Sequence, residues 1–196
     1  MNFTSDQLDA IKELFNMGVG KGASILSQMV DSRVHLEIPK VEIFSSSDFE
    51  KIEESIGLNE SSSVNMSFSG SFDGKVSLLI PPDSASILVA ALTHEEPGPM
   101  KLDPVRAGTL CEVGNMIING LMGSITNVLH KSIDYSLPEY NEGKIEDVIG
   151  FQAEEEINIC VATTTLKIEN LEVCGKLLVV FKVGYLQELL AAIDAI

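Results

Sequence analysis

No apolar run in the sequence approaches the ~18 to 20 residues needed to cross a bilayer. The longest, Leu177-Leu178-Val179-Val180-Phe181, has the length of a strand, so no membrane insertion is expected. The opening residues, from Met1 to Asp6, carry neither the basic nor the apolar segment of a secretory signal, and a cytoplasmic location is expected. Cysteine is scarce. Cys111, Cys160 and Cys174 form an odd set without C-x-x-C spacing, which argues against a disulfide framework or a zinc ribbon and leaves buried free thiols as the expectation. Positive charge is short as well: 13 Lys and Arg stand against 29 Asp and Glu, for a net charge of −16. Nucleic acid and anionic lipid are therefore poor partners, and positively lined protein surfaces better ones. His35, His94 and His130 are isolated, so no metal site of the chain's own is expected. The phosphate-binding loop, the dinucleotide-binding loop and the nucleophile elbow are all missing.

What is present is enough apolar material, 45% of 196 residues, for one well-packed domain or two small halves sharing a core. Thr4 and Gln7 can form a capping box, with Phe3 and Leu8 stapling the entry, so a long helix should run from about Thr4 to Val30. A strand is expected near Val34 to Phe44, then a polar stretch. A hairpin follows, with strands near Val64 to Ser69 and Lys75 to Ile80, and then a helix opened by Pro81-Pro82-Asp83. Residues 95–99, Glu-Glu-Pro-Gly-Pro, read as a linker.

Beyond the linker the order returns. Asp103-Pro104 is a cap followed by proline at the first helical position, and that helix should continue to about Leu129. A strand near Ile133 to Ser136 follows, then a hairpin with strands near Asn158 to Ile168 and Val173 to Phe181, turning at Glu169-Asn170-Leu171. A last helix covers roughly Tyr185 to Ile193. Gly74-Lys75 matches Gly175-Lys176, and Ala90-Ala91 matches Ala191-Ala192, at one offset of 101 residues. The expected fold is α/β of the α+β kind: one domain over 1–196, with pseudo-twofold halves at about 4–94 and 103–195. Two long helices would pack on a central, mostly antiparallel sheet, and neither half would be stable alone.

Aligned at an offset of 99, residues 4–39 and 103–138 share Glu13 with Glu112, Asn16 with Asn115, Met17 with Met116, and Pro39 with Pro138. Core positions need only stay apolar, so the shared polar residues are what call for a reason. At ~100° per residue, Asp9, Glu13, Asn16 and Gly20 fall in a solvent-facing stripe. Leu8, Ile11, Leu14, Phe15, Ile25, Leu26 and Met29 cluster opposite it. In the second helix Glu112 and Asn115 share a stripe with Gly108 and Asn119, opposite Leu110, Val113, Ile117, Leu121, Ile125 and Val128. Gly18 and Gly22 lie on the buried side, where close approach to a helix or sheet would offset ~2 kcal/mol of lost helix propensity. Taken singly, a surface Glu or Asn on a helix is a solvated residue. Repetition of the pair points instead to docking against another surface.

The spacing resembles the CheC/CheX/FliY family of chemotaxis phosphatases, whose motif reads Asp or Ser, three residues, Glu, two residues, Asn, then twenty-two residues and Pro. Asp9, Glu13, Asn16 and Pro39 match at every spacing; Glu112, Asn115 and Pro138 match in the second copy, where Gly108 stands in place of Asp or Ser. Two intact pairs look like CheC, and the resemblance covers almost the whole chain. It implies a hydrolase of two-component signalling that removes the aspartyl phosphate from a phosphorylated CheY-like response regulator. Asn16 and Asn115 would hold the attacking water, while Glu13 and Glu112 would pair with the regulator's lysine. Asp9, Pro39 and Pro138 would be supporting residues. Mg²⁺ would be held by the regulator, with no cofactor on this chain. An acyl phosphate is already reactive, so placing a water can supply much of the acceleration. An amide both donates and accepts, so it can orient water beside anionic phosphate where a carboxylate would be repelled. Asp9, Glu13 and Asn16 form the complete stripe, so equal activity at the two sites is not implied.

Two other readings stay open. The fold also resembles the middle domain of flagellar switch proteins, which bind partners without the phosphatase pairs, so a non-catalytic binding module is the main rival. An adaptor for CheD is a further one.

Overall fold

The computed structural model of the chain describes residues 3–29, 31–45, 47–145, 157–168, 171–182 and 184–193. The first helix, α1 (Ser5–Met29), opens on the expected capping box: the Thr4 amide donates to Gln7 Oε1 at 3.1 Å, and the Gln7 amide donates to Thr4 Oγ1 at 3.2 Å. Phe3 packs against the main core. Then come β1 (Val34–Ser45), α2 (Phe49–Ile56), the hairpin β2 (Glu60–Gly70) and β3 (Gly74–Ile80), and α3 (Pro82–Thr93). The second half holds α4 (Pro104–Leu129), β4 (Ile133–Tyr135), β5 (Glu139–Lys144), β6 (Ile157–Ile168), β7 (Leu171–Lys182) and α5 (Tyr185–Ile193). Asp103 caps α4 by accepting from the amides of Val105 at 2.9 Å and Arg106 at 3.1 Å, satisfying two of the helix's orphan donors.

Every strand pairing among the described residues is antiparallel, in the order β1-β6-β7-β3-β2-β4, with β5 also on β2. The order has a pseudo-twofold centre between β7 and β3. Each half's hairpin therefore pairs with the edge strand of the other: β1 lies on β6, while β4 and β5 lie in succession along β2. A half taken alone would lose the partner of its first strand.

One face of the sheet carries α1, α3, α4 and α5 over the main core, which includes Phe15, Phe72, Leu110, Leu121 and Phe181. On the other face a smaller cluster forms where Ile52 and Ile56 of α2 meet Leu79, Ile159, Val161 and Leu178. The two long helices meet backbone to backbone. A Cβ on Gly18 would sit 2.6 Å from Leu121 Cα, and one on Gly22 2.7 Å from the Met116 carbonyl oxygen, so the expected close approach is between these helices. Ile25 and Met29, assigned to the apolar side from periodicity, are exposed: Leu26 and Ala23 supply the buried face of the last turns. Phe15 is fully buried, as its position opposite the stripe requires.

Three other expectations change. The polar stretch after β1 contains α2, ended by Gly57 in the left-handed conformation. The second half has an additional strand, β5, on the β2 edge. Of the three cysteines only Cys160 is buried; Cys111 is half-buried and Cys174 exposed, since Cys174 sits at an outward position of β7. The turn expected at Glu169-Asn170-Leu171 falls largely outside the described residues, although Ile168 and Leu171 pair as its flanks. No helix among the described residues is long and apolar enough to cross a membrane.

Candidate functional site

Each Glu-x-x-Asn pair sits on a long helix facing a proline-bearing irregularity in an edge strand. In β1 the register shifts between Glu37 and Lys40, so Ile38 and Pro39 face one residue of β6. On the opposite edge, residues 136–138 face only Met66 and Ser67 of β2, between the β4 and β5 pairings. A bulge leaves backbone groups without ladder partners, and a proline there has no N–H to leave orphaned. The two Asn-to-Pro spacings in the sequence place these bulges beside the two helices.

The bulges are closed differently. In the first half Asn16 acts as the missing strand: its Nδ2 donates to the Ile38 carbonyl at 3.0 Å, and its Oδ1 accepts from the Ile38 amide at 2.7 Å. Nδ2 also donates to the Lys12 carbonyl one turn back, at 3.0 Å. Both amide hydrogens are thereby used. Asp9, expected on the stripe, is there and forms an ion pair with Lys12 at 2.7 Å. Glu13 is exposed, without a cationic partner among the described residues. A groove lined by Gly20, Ser24, His35, Glu37 and Pro39 runs from Asn16 between α1 and β1.

In the second half the bulge closes itself. The Ser67 amide donates to Ser136 Oγ at 3.0 Å, Ser136 Oγ donates to the Leu137 carbonyl at 3.0 Å, and the Ser136 amide donates to the Ser67 carbonyl at 2.9 Å. Leu137, the counterpart of Ile38, is 84% exposed where Ile38 is 1% exposed. Among the described residues Asn115 makes no hydrogen bond to this strand. Its Oδ1 accepts from Asn119 Nδ2 at 2.8 Å, and its own Nδ2 has no protein partner among the described residues. Glu112 is exposed on the same stripe and has no cationic partner among the described residues either. Gly108, in the position of Asp9, is open on its outer side, so the helix surface before Glu112 is bare. Gly114 lies over Val64, whose side chain a Cβ would meet at 2.5 Å, and this contact seats the α4 pair on β2. Beside Glu112, Cys111 has its thiol pushed up by burial and by the Glu112 charge.

The sequence pattern of the family described as "Chemotaxis phosphatase CheX" matches residues 62–161. That stretch is half of the chain and contains α4, Glu112, Asn115 and Pro138. The chain belongs to the CheC/CheX/FliY family. Among solved structures, it is similar to FliY of Thermotoga maritima, at 17% identity and a TM-score of 0.78 over 100% of this chain and 99% of that one. It is also similar to the FliM middle domain of H. pylori, at 13% identity and a TM-score of 0.71 over 97% and 99%. CheX of Vibrio vulnificus matches at 15% identity and a TM-score of 0.55 over 85% and 99%. At these identities the likeness is one of fold. It spans phosphatase-family and FliM members alike, so the family's fold does not by itself decide between catalysis and binding.

Sequence reasoning singled out the Glu and Asn positions. It missed what holds them: Ile38 for Asn16, Lys12 for Asp9, Asn119 for Asn115, and Ser136 closing the second bulge. The proline spacing marked the first, whereas the sequence carried no comparable mark for Ser136.

Proposed function

We propose that this chain is a protein phosphatase that removes the aspartyl phosphate of a CheY-like response regulator in the cytoplasm. The α4 pair, Glu112 and Asn115, would act as its principal site. The observation that carries the reading is the carboxamide of half-buried Asn115, whose NH₂ group has no protein partner among the described residues and lies one turn from exposed Glu112, a carboxylate without a cation among them either. The amide can accept from a water through the second lone pair of Oδ1 while donating from Nδ2 towards phosphoryl oxygen, which places that water for in-line attack. Glu112, one turn away, would pair with the regulator's active-site lysine and fix the docking register. Mg²⁺ would belong to the regulator.

Glu13 and Asn16 form the subordinate site. For Asn16 to hold a water it must first release the Ile38 backbone, whose amide and carbonyl would then lack partners. Dephosphorylation of a phosphorylated regulator from the same genome tests the reading. The Asn115→Ala protein should lose ~10² to 10³-fold in rate, the range seen when one positioned donor is removed from a reacting centre. A variant that dephosphorylates as fast as the wild type would overturn the proposal.

One observation favours a second reading. The likeness to the FliM middle domain covers 97% of this chain, against 100% for FliY, and solved FliM structures include complexes with FliG and with SpeE. A binding module of that kind would leave the regulator's phosphate decay unchanged, or slow it, while still forming a complex. CheD association would be read by recovery of CheD with this chain from the source cell.

A further inference from the structure

We infer that Asn119 is a positioning residue of the second site, setting which end of the Asn115 carboxamide faces the docking partner. The inference rests on the reading of Asn115 as the water-holding group and adds a residue outside the Glu-x-x-Asn pair. Asn119 lies one turn beyond Asn115 on the exposed stripe of α4, and its Nδ2 donates to Asn115 Oδ1 at 2.8 Å.

The terminal torsion of an asparagine is broad and roughly two-fold, so the half-buried Asn115 carboxamide has two orientations that exchange its oxygen and its nitrogen. Only one of them suits the reaction. With the oxygen held towards Asn119, the NH₂ group is turned outward, where donors can meet anionic phosphoryl oxygen. One lone pair of Oδ1 also remains for the water. The reverse orientation would set an acceptor against anionic phosphate and lose that contact.

Comparison of the two halves sharpens the assignment. Gly20 occupies the position of Asn119 in α1 and has no side chain to offer, and there the oxygen of Asn16 is held by the Ile38 amide instead. Both asparagines therefore have their carbonyl oxygen fixed by a donor. In the first half that donor is buried backbone and consumes the amide in closing a bulge. In the second it is an exposed side chain on the same helix, which orients the amide and leaves it reachable. An exposed bond between two neutral amides adds little to folding, so stability alone gives no reason for it.

The test compares Asn119→Asp, Asn119→Ala and Asn119→Gln in the full chain, using the CheY-like regulator of the same genome phosphorylated with acetyl phosphate. The carboxylate introduced by Asn119→Asp is isosteric with the amide but only accepts, so it draws the Asn115 NH₂ towards itself and reverses the amide. The saturating dephosphorylation rate should fall about 10-fold for Asn119→Asp and about 5-fold for Asn119→Ala, with the half-saturating concentration and the melting temperature unchanged. Asn119→Gln, which keeps a donor within reach, should return to within about 3-fold of wild type. An Asn119→Asp protein with the wild-type saturating rate would overturn the inference, as would equal losses in all three variants. Side-chain amide resonances in ¹⁵N–¹H spectra separate this from failure of the phosphatase reading. If Asn115→Ala leaves the rate intact, that reading falls. The pinning of Asn115 is then judged on whether Asn119→Ala shifts the Asn115 NH₂ pair, and unmoved resonances refute it.

Discussion

Replacing Asn16 by Ala should unfold the protein more easily while leaving its action on a regulator largely intact. The side chain makes three hydrogen bonds to backbone, two of them to Ile38, which is almost wholly buried at the β1 bulge. Truncation orphans the Ile38 N–H and C=O, at about 1 to 3 kcal/mol for each buried group left unsatisfied. Alanine returns about 0.5 kcal/mol in helix propensity, and the edge position of β1 lets water reach part of the gap. The expected net loss is about 2 to 3 kcal/mol, which in a chain of this size lowers the melting temperature by about 4 to 12 °C. Urea denaturation followed by circular dichroism measures it, with Asn115→Ala as the control expected to stay within about 0.5 kcal/mol of wild type. If Asn16→Ala were as stable as Asn115→Ala, Asn16 would not be the staple of the bulge, and the ranking of the two sites would lose its basis.

Gly18→Ala would push a methyl to 2.6 Å from Leu121 Cα, a contact with backbone that cannot swing aside. A loss of about 1 to 3 kcal/mol is expected despite the gain in helix propensity, and thermal denaturation would show it. Lys75 and Lys176 hold matching positions in β3 and β7, and burial draws both ammonium groups below the usual 10.5. They bind protons less tightly folded than unfolded, so their contribution to stability rises with pH between their lowered values and 10.5. In that window the pH slope of the wild-type urea midpoint should exceed that of the Lys75→Met, Lys176→Met double variant. Burial pushes the Cys160 thiol up and shields it, whereas Cys174 is exposed. Maleimide should therefore label Cys174 in the native protein and Cys160 only after denaturation, as peptide mass mapping would report.

The parts of the fold legible in the sequence are those where local chemistry and tertiary need agree. Thr4 with Gln7, and Asp103 with Pro104, marked the starts of α1 and α4 because capping is decided within one turn. The α5 bounds followed from apolar pattern, and the strands other than β5 from apolar pattern together with turn residues. Two elements were hidden. In α2 only Ile52 and Ile56 are buried among acidic neighbours, too few apolar residues to show a helical period in eight residues. β5 is Glu-Tyr-Asn-Glu-Gly-Lys, whose polar character suits an edge strand and gives no alternation to read.

The candidate site was legible to a similar depth. Repetition of Glu13 and Asn16 in Glu112 and Asn115 singled out both copies; helix geometry placed the two glutamates on exposed faces, whereas both asparagines, expected to face solvent, are half-buried. The complete motif in the first half suggested the stronger site there. Its proline spacing, however, reflects a contact that consumes Asn16, whereas Ser136 closes the second bulge without Asn115 through a bond between strands that no local pattern encodes. Motif completeness and chemical availability are therefore different properties of this chain.

The central claim is that Asn115 does the chemistry. Phosphate decay on the cognate CheY-like regulator, measured with wild type, Asn115→Ala and Asn16→Ala at a temperature where all three are folded, tests it most directly. The account predicts that Asn115→Ala loses ~10² to 10³-fold in rate and that Asn16→Ala stays within about 3-fold of wild type. Full activity in Asn115→Ala, or a loss confined to Asn16→Ala, would contradict it.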